Sequence, residues 1–173
     1  IPLCDWSSDV CSSDLPLTTL SFALEYHFFG LDPFVYHLDN LLLHLGVTAL
    51  VFFFAVQLGF GVRAAALAAL LFGMHPLKVE SVAWVTERKD VLYAFFYMLA
   101  LRHYLKYLHS RRIGFYLLTI LWALFSILAK PMALSLPLVL LLCDWWHNRK
   151  VRGGVLAEKL PYLLFYVPIV WQT

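Results

Sequence analysis

Long runs of apolar residues alternate with short polar stretches from Pro16 onward. The runs are continuously apolar rather than alternating with polar residues, which indicates helices and argues against the strands of a membrane barrel. Crossing a hydrocarbon core of ~30 Å takes about 20 helical residues. The pattern predicts five complete membrane-spanning segments and the start of a sixth, at residues 36–58, 62–74, 91–107, 113–129, 132–146 and, truncated, 160–170.

The composition agrees with this pattern. Hydrophobic residues make up 62% of the 173-residue chain and charged residues only 14%, against about 25% charged residues in soluble domains. A chain of this size leaves about 30% of its unfolded surface exposed after folding, so apolar residues at this density cannot all be buried. An ordinary water-soluble globular protein is thereby excluded, and the expected fold class is an all-α polytopic membrane protein.

A further helix is predicted before the first span. Leu17, Leu20, Leu24 and Phe28 recur at helical spacing, with polar residues on the other faces, as expected for a helix that lies in the membrane interface. A turn is predicted next at residues 29–33, because the residue before a proline is biased away from the helical region.

The first 15 residues stand apart. Residues 5–15 read Asp-Trp-Ser-Ser-Asp-Val-Cys-Ser-Ser-Asp-Leu and resemble, codon by codon, the translation of a common sequencing adapter; the alternative is a genuine lumenal loop rich in Ser and Asp. We expect residues 1–15 to be an artefact and exclude them from fold reasoning. The remaining chain contains thirteen Lys and Arg and eight Asp and Glu, so the formal net charge rises from +2 to +5. Only Cys143 remains, so no disulfide framework or cysteine metal site is expected.

Lysine and arginine are unevenly divided between the loops that join the predicted spans. One set of loops holds seven cations and one nearby acid, Asp144, which under the positive-inside rule makes that set cytoplasmic. This topology places residues 16–39, residues 75–90 and the turn at Lys130 together on the opposite face, periplasmic or lumenal. The seven cations are Arg63, Lys106, Arg111, Arg112, Arg149, Lys150 and Arg152.

The loop between the second and third predicted spans is the richest polar cluster. The proline that follows His75 suits the first turn of a helix, with His75 at its cap. Such a helix would align Glu80, Trp84 and Arg88 on one face. Glu87 would lie beside them, and the face could line a pocket at the membrane surface. The alternative is a surface loop with weak ion pairs, in which Trp84 is an interfacial anchor.

Polar groups also stand at the start of the first span and at the Lys130 turn. His37 and Asp39 either contact a ligand or meet lipid headgroups. His44 lies one turn deeper than Asn40, where an ionisable residue is a functional hypothesis by default, although helix packing with a hydrogen bond is the expected role. Lys130 either snorkels to the interface or offers its cation to an anionic headgroup or phosphate.

Other ligand classes have little support. The seven histidines include no pair at metalloprotease spacing, so no divalent metal is expected. Membrane topology and attraction to anionic lipid explain the basic loops. The expected partner is therefore the lipid bilayer and not nucleic acid.

Three motifs together carry a family resemblance. Residues 29–44 read Phe-Gly-Leu-Asp-Pro-Phe-Val-Tyr-His-Leu-Asp-Asn-Leu-Leu-Leu-His, residues 75–92 read His-Pro-Leu-Lys-Val-Glu-Ser-Val-Ala-Trp-Val-Thr-Glu-Arg-Lys-Asp-Val-Leu, and residues 129–132 read Ala-Lys-Pro-Met. In order and spacing they resemble the membrane half of transmembrane and tetratricopeptide-repeat (TPR) O-mannosyltransferase-like proteins, which couple a GT-C-type glycosyltransferase fold to TPR repeats. The resemblance covers nearly all of residues 16–173. It implies a partial GT-C-type bundle, with the first helix, the catalytic loop and the repeats outside this chain.

The resemblance also implies an activity. Related enzymes transfer a sugar, here expected to be mannose, from a polyprenyl- or dolichyl-phosphate carrier to a protein hydroxyl on the lumenal or periplasmic face. Their essential acid lies in the first exoplasmic loop, so it is expected upstream of this chain. Of the residues present, Arg88 would bind the donor phosphate through its planar fork, with Lys89 or Lys130 as point charges. The acceptor or pocket candidates are His75, Glu80, Trp84, Glu87, His37 and Asp39.

Two other functions stay open. The same polar clusters would suit a transporter or lipid-handling protein as a headgroup path, and the chain could also be a non-catalytic membrane scaffold for a repeat domain. An acid pair upstream would favour the transferase, and inverted repeats, of which none is visible here, would favour transport. A solitary chain whose partner helices are missing is expected to be unstable or aggregated.

Overall fold

The structure is a computed structural model that describes residues 15–149 and 153–162. Within these ranges the regular elements are all helical, which confirms the all-α prediction. The α-helices are α1 (Pro16–Phe29), α2 (Pro33–Gln57), α3 (Val62–Gly73), α4 (Val79–Ala83), α5 (Arg88–Ser110), α6 (Ile113–Ala129), α7 (Leu136–Trp146) and α8 (Gly153–Ala157). Shorter 3-10 segments lie at Pro76–Lys78, Val85–Glu87 and Pro131–Ser135.

Each of the first five predicted spans coincides with a helix, and most of the sixth, residues 160–170, lies outside the described residues. In the described part of the chain, α2 is the one helix both long enough and apolar enough to cross a membrane. If α3 and the segment Pro76–Ala83, which are bent by 55° relative to each other, form one span, the described residues contain a second candidate crossing. The 12 residues of α3 rise only ~18 Å by themselves, less than the ~30 Å hydrocarbon core.

The turn between α1 and α2 confirms the turn predicted at residues 29–33. Gly30 ends α1 at a φ of 64°, a left-handed conformation that glycine adopts without a steric penalty. Asp32 is extended, and its side chain accepts a hydrogen bond of 3.0 Å from the backbone N–H of Phe34. With Pro33 at the first helical position, both residues specify the start of α2.

The centre of the bundle is α5, which packs against α2 and α6. Tyr104 and Leu105 of α5 are fully buried in the core that α5 and α6 share with residues 133–143 and 162. Gly46 of α2 lets α5 approach closely, because a Cβ atom at this position would lie 2.9 Å from the ring of Phe95. Packing, rather than length alone, thus fixes the register of α2 on α5.

His44 joins α2 to α3. Its Nε2 atom lies 3.0 Å from the carbonyl oxygen of Gly73, and its ring stacks on Phe72 with centroids 6.0 Å apart. The imidazole is 8% exposed. This confirms the interhelical hydrogen bond expected for His44.

Many large apolar side chains cover the outside of the bundle. An apolar surface this extensive marks contact with lipid or with further protein. It agrees with the excess of hydrophobic residues noted above. Among these exposed residues are Leu20, Leu24 and Phe28 on α1, Leu38, Leu41, Leu42 and Leu45 on α2, Leu67, Leu70 and Leu71 on α3, and Leu117 and Leu121 on α6.

Candidate functional site

The three polar clusters predicted to converge do meet at one end of the bundle, which we call the motif end. Asn40 Nδ2 at the start of α2 donates to the carbonyl oxygen of Trp84 at 3.3 Å. Lys130, after the last residue of α6, pairs with Asp90 near the start of α5. The convergence is therefore confirmed within the described residues.

Helix α1 lies across this end. The hydroxyl of Thr18 donates to the carbonyl oxygen of Ala129 at 3.3 Å, at the end of α6, and two turns later Glu25 contacts Arg88 at the start of α5. Successive turns of α1 thus touch successive helix ends. A helix crossing the end of the bundle, with Leu20 and Leu24 exposed, fits the predicted interfacial orientation.

Arg88 is the most enclosed charge at the motif end, with no exposed surface. Its Nη1 atom lies 2.5 Å from Glu25 Oε2 and 3.7 Å from Asp39 Oδ2. Its Nε atom donates to Asn40 Oδ1 at 2.9 Å, and Nη2 donates to the carbonyl oxygen of Tyr36 at 3.1 Å. The aromatic ring of Phe22 lies 4.5 Å from the guanidinium carbon. Arg88 therefore links α1, α2 and α5.

Sequence reasoning had singled out Arg88 and Asp39 but gave no role to Glu25. Burial raises the pKa of the Glu25 carboxyl, while its hydrogen bond and ion pair with Arg88 act in the opposite direction and Asp39 raises the pKa further. A phosphate could reach Arg88 only if this cluster opened, so the phosphate-binding role of Arg88 stays a prediction.

A cation at the start of a helix meets the positive end of the helix dipole, which is unfavourable. Arg88 and Lys89 both occupy the first turn of α5, and carboxylates surround them. Lys89 Nζ lies 3.6 Å from Glu87 Oε1, and Asp90 pairs with the half-buried Lys130. These carboxylates offset the unfavourable dipole and hold the motif end together.

The continuous helix predicted from Pro76 is wrong. A 3-10 segment and the five residues of α4 are followed by an extended Trp84, with φ −94° and ψ 120°, so Glu80, Trp84 and Arg88 do not share one helix face. Trp84 is 60% exposed whereas Arg88 is buried. The break orients Arg88 toward α1 and α2, where its charge finds acceptors.

The remaining candidates lie around this segment. His75 is exposed, and its Nδ1 accepts a hydrogen bond of 3.2 Å from the N–H of Leu77, so it caps the 3-10 segment Pro76–Lys78 and not the longer helix that was predicted. Glu80 and His37 are exposed, and the side chain of Asp39 is 42% exposed. Among the described residues, no group of three His, Cys, Asp or Glu side chains could hold a metal ion.

A cavity of about 280 Å³ lies beneath this segment, between α2, α3 and α5. Its polar lining includes Lys78, Ser81 and Asp90, while Val47 and Met98 belong to its apolar lining. The ammonium group of Lys78 lies 5.4 Å from the centroid of the Phe72 ring. The sequence gives Lys78 no predicted role, because nothing local shows that residues 78 and 90 share a cavity.

A second polar network lies at the other end of the bundle. Asp144 of α7 is fully buried and accepts a hydrogen bond of 2.7 Å from the hydroxyl of Tyr104; its carboxylate also lies 2.9 Å from Lys159 Nζ. Arg149 bridges Asp144 to Glu158. In the sequence, Asp144 stands near the end of the apolar run of residues 132–146, beside Arg149.

The fold and the site together define a class: within the described residues, an all-helical bundle with an apolar exterior, a network of acidic and basic side chains at each end, and a cavity beneath the network of the motif end. The chain is similar to curated proteins named protein O-mannosyl-transferases. Drosophila melanogaster Tmtc1 is 38% identical over 129 residues, covering 75% of this chain and 15% of the relative. Human TMTC4 is 37% identical over 134 residues, covering 69% and 18%, and human TMTC1 is 31% identical over 161 residues, covering 84% and 18%.

These homologues support the predicted glycosyltransferase resemblance. The chain spans less than a fifth of the length of each of these relatives. The alignment to human TMTC1 covers 84% of this chain. Whatever its starting residue, an alignment of that length must include about residues 30–144. It therefore contains nearly all of the three motifs. No family model and no solved structure matches the chain.

Proposed function

We propose that this chain is part of the membrane domain of a glycosyltransferase that moves mannose from a polyprenyl- or dolichyl-phosphate carrier to a protein hydroxyl. The homologues are named for O-mannosyl transfer. The observation that carries the proposal is the cavity at the motif end, where a cation and an acid line the same space as apolar side chains. A lipid-linked sugar phosphate has the same division into a charged head and an apolar chain.

The cations at this end would stabilise the carrier phosphate as it departs, since a fixed positive charge stabilises developing negative charge without reorganisation. Lys78 is half-buried and lines the cavity directly. Lys130 is adjacent through its pair with Asp90. We assign the phosphate contact first to Lys78, then to Lys130 and Lys89, and to Arg88 only after the Glu25 cluster opens.

The remaining candidates fit the acceptor side of the reaction. The exposed Trp84 would stack on the sugar or the prenyl chain, and His75, Glu80 and Glu87 lie along the same segment. His37 and the half-exposed Asp39 face the membrane surface at the start of α2. The catalytic acid is expected from the part of the enzyme upstream of this chain, so these residues bind and orient substrate.

The membrane arrangement is part of the proposal. We infer a multi-pass protein of the endoplasmic reticulum or of a bacterial inner membrane, with the motif end exoplasmic and the Arg111 and Arg149 loops cytoplasmic. The charge difference between the two sets of loops supports this orientation. It places the cavity on the face where lipid-linked sugars are consumed and leaves the opposite end in contact with anionic lipid headgroups.

The test uses the full-length protein in microsomes or nanodiscs, with dolichyl-phosphate mannose as donor. Replacing Lys78 with Ala should raise the KM for the donor about ten-fold or more, the range expected for a lost hydrogen bond to a charged group, and Lys78→Arg should restore most of it. Arg63→Ala, an exposed cation at the other end, is the control. Unchanged donor KM in Lys78→Ala would overturn the phosphate assignment, and absence of mannose transfer by the wild type would overturn the function.

A further inference from the structure

A second cavity, of about 480 Å³, opens at the end of the bundle opposite the motif end. It lies where the end of α2, the end of α5 and the start of α6 meet. The charged residues of the two linings, Asp90 and Lys106, are 16 residues apart on one helix, about 24 Å, and the nearest lining residues on that helix, Met98 and Leu105, are seven residues apart, about 10 Å. The two cavities are therefore separate sites. The second is lined by Val56, Gln57, Leu105, Lys106, His109, Ser110 and Phe115.

The cavity lining contains a cation and no acid. Lys106 Nζ lies 5.8 Å from the centroid of the Phe115 ring, and within the described residues its ammonium group has no carboxylate at ion-pair distance. His109 donates Nδ1–H to the carbonyl oxygen of Leu105 at 2.9 Å, which leaves Nε2 as a hydrogen-bond acceptor in the neutral ring. A phosphate group fits the cation, and a hydrogen-bond donor elsewhere in the same ligand fits the ring nitrogen.

The lining also holds an acceptor that lacks a donor. Gln57 Oε1 is buried and makes no hydrogen bond with any described group, and a turn of the Gln57 side chain into the cavity that it lines would bring this oxygen to a ligand. Leaving a buried acceptor unpaired is costly, so a ligand that brings an O–H or N–H group to this oxygen gains affinity. The phosphodiester of a lipid cannot by itself satisfy Gln57, because its ionised oxygens are acceptors only.

The remaining walls are apolar. Leu105 and Phe115 line the cavity, and the 37% exposed Val56 lies at its surface opening, next to the outer face of α2. Beside apolar walls and the exposed apolar face of α2, a lipid phosphate fits this cavity better than a free anion. A volume of about 480 Å³ also falls in the usual range of small-molecule sites.

We propose that this cavity binds the headgroup of a glycerophospholipid whose polar group carries a hydrogen-bond donor, such as an ethanolamine, glycerol or inositol headgroup. Lys106 contacts the phosphate, Gln57 Oε1 and His109 Nε2 accept from the headgroup amine or hydroxyl, and the apolar walls cover the start of the acyl chains. The site uses none of the residues assigned to the sugar donor. It depends on the protein being in a membrane but not on its transferase activity.

The test is native mass spectrometry of the detergent-purified full-length protein with defined lipids of equal acyl chains. Phosphatidylethanolamine should bind about five-fold more tightly than phosphatidylcholine, which has the same phosphate but no N–H or O–H donor. Gln57→Leu should reduce that preference. Lys106→Ala should weaken both lipids about ten-fold, Lys106→Arg should restore binding, and Arg63→Ala at the same end should have no effect.

Three results would overturn the proposal. Equal binding of the two lipids to the wild type removes the role of Gln57 and needs no variant to be folded. Equal loss in Lys106→Ala and Arg63→Ala indicates general charge attraction instead of a site. Displacement of bound lipid by millimolar inorganic phosphate indicates a free-anion site. The melting temperature of each variant shows whether a loss of lipid binding is due to misfolding. Mannose transfer measured in parallel shows whether the proposed transferase function fails independently of lipid binding.

Discussion

Arg88 Nη1 lies 2.5 Å from Glu25 Oε2, so a fully buried cation at the start of α5 is paired with a carboxylate of α1. This pair, together with the hydrogen bond from Arg88 to Asn40, ties the helix that crosses the motif end to the two longest helices of the bundle. Arg88, which the sequence suggested as a substrate contact, thus joins the helices that form the site in this structure.

Removing the Arg88 side chain should therefore lower the free energy of unfolding of the protein. Arg88→Ala leaves the Glu25 carboxylate without its cation, and breaking a buried pair in this way costs about 3–5 kcal/mol. The melting temperature of the full-length protein in detergent measures the loss. The double variant Arg88→Met with Glu25→Leu should recover most of it, whereas the exposed Arg112→Ala should change stability by less than about 0.5 kcal/mol. A double variant as unstable as Arg88→Ala alone would contradict the pairing.

The contact between α2 and α5 predicts a steric effect at Gly46. A Cβ atom there would lie 2.9 Å from the Phe95 ring, whereas at Gly114 a Cβ atom would meet nothing within 4 Å. Gly46→Ala should cost about 1–3 kcal/mol through overpacking, and Gly114→Ala, in the first turn of α6, should be neutral or stabilise by up to about 1 kcal/mol. Thermal unfolding of the two variants side by side checks the register of α2 on α5. Equal melting temperatures would show that the helices do not meet as described.

The network at the other end predicts a pH dependence of stability. The hydrogen bonds from Arg149 to Glu158, at 2.6 and 2.8 Å, hold the pKa of the Glu158 carboxyl below its ordinary value of 4.5. Because the pKa is lowered in the folded state, Glu158 contributes fully to the free energy of unfolding above pH 4.5. This contribution is lost as the pH falls through the folded-state pKa. Glu158→Gln should therefore be less stable than the wild type by about 1 kcal/mol near neutral pH.

Melting temperatures from about pH 7 down to about pH 3 would show whether the difference between wild type and Glu158→Gln disappears on the acid side. Glu80→Gln, which alters an exposed carboxylate at the motif end, serves as the matched control and should track the wild type throughout. A difference that grows toward acid pH would have the wrong sign for the Arg149 pair.

The helix positions followed from the sequence because each depends on local chemistry. Apolar runs of helical length placed α2 and α6, and Asp32 with Pro33 specified where α2 begins. The meeting of three polar clusters at one end followed from loop charges alone. The single expected hydrogen bond of His44 was also found.

The parts that sequence reasoning missed depend on contacts between distant residues. Trp84 has no local property that forces an extended backbone, so the break before α5 could not be read from residues 75–90. Arg88 could pair with any nearby acid, and only the path of α1 brings Glu25 to it. Lys78 and Gln57 became informative only when the helices around them enclosed cavities.

The most direct test of the account is photo-crosslinking of the full-length protein with a dolichyl-phosphate mannose analogue that carries a photoreactive group near the phosphate. Mapping of the labelled peptides by mass spectrometry compares the two cavities within one molecule. The account predicts labelling within residues 75–98, competed by unmodified donor and reduced in Lys78→Ala. Competed labelling confined to residues 105–115, at the opposite end of α5, would contradict the assignment of the motif end as the donor site.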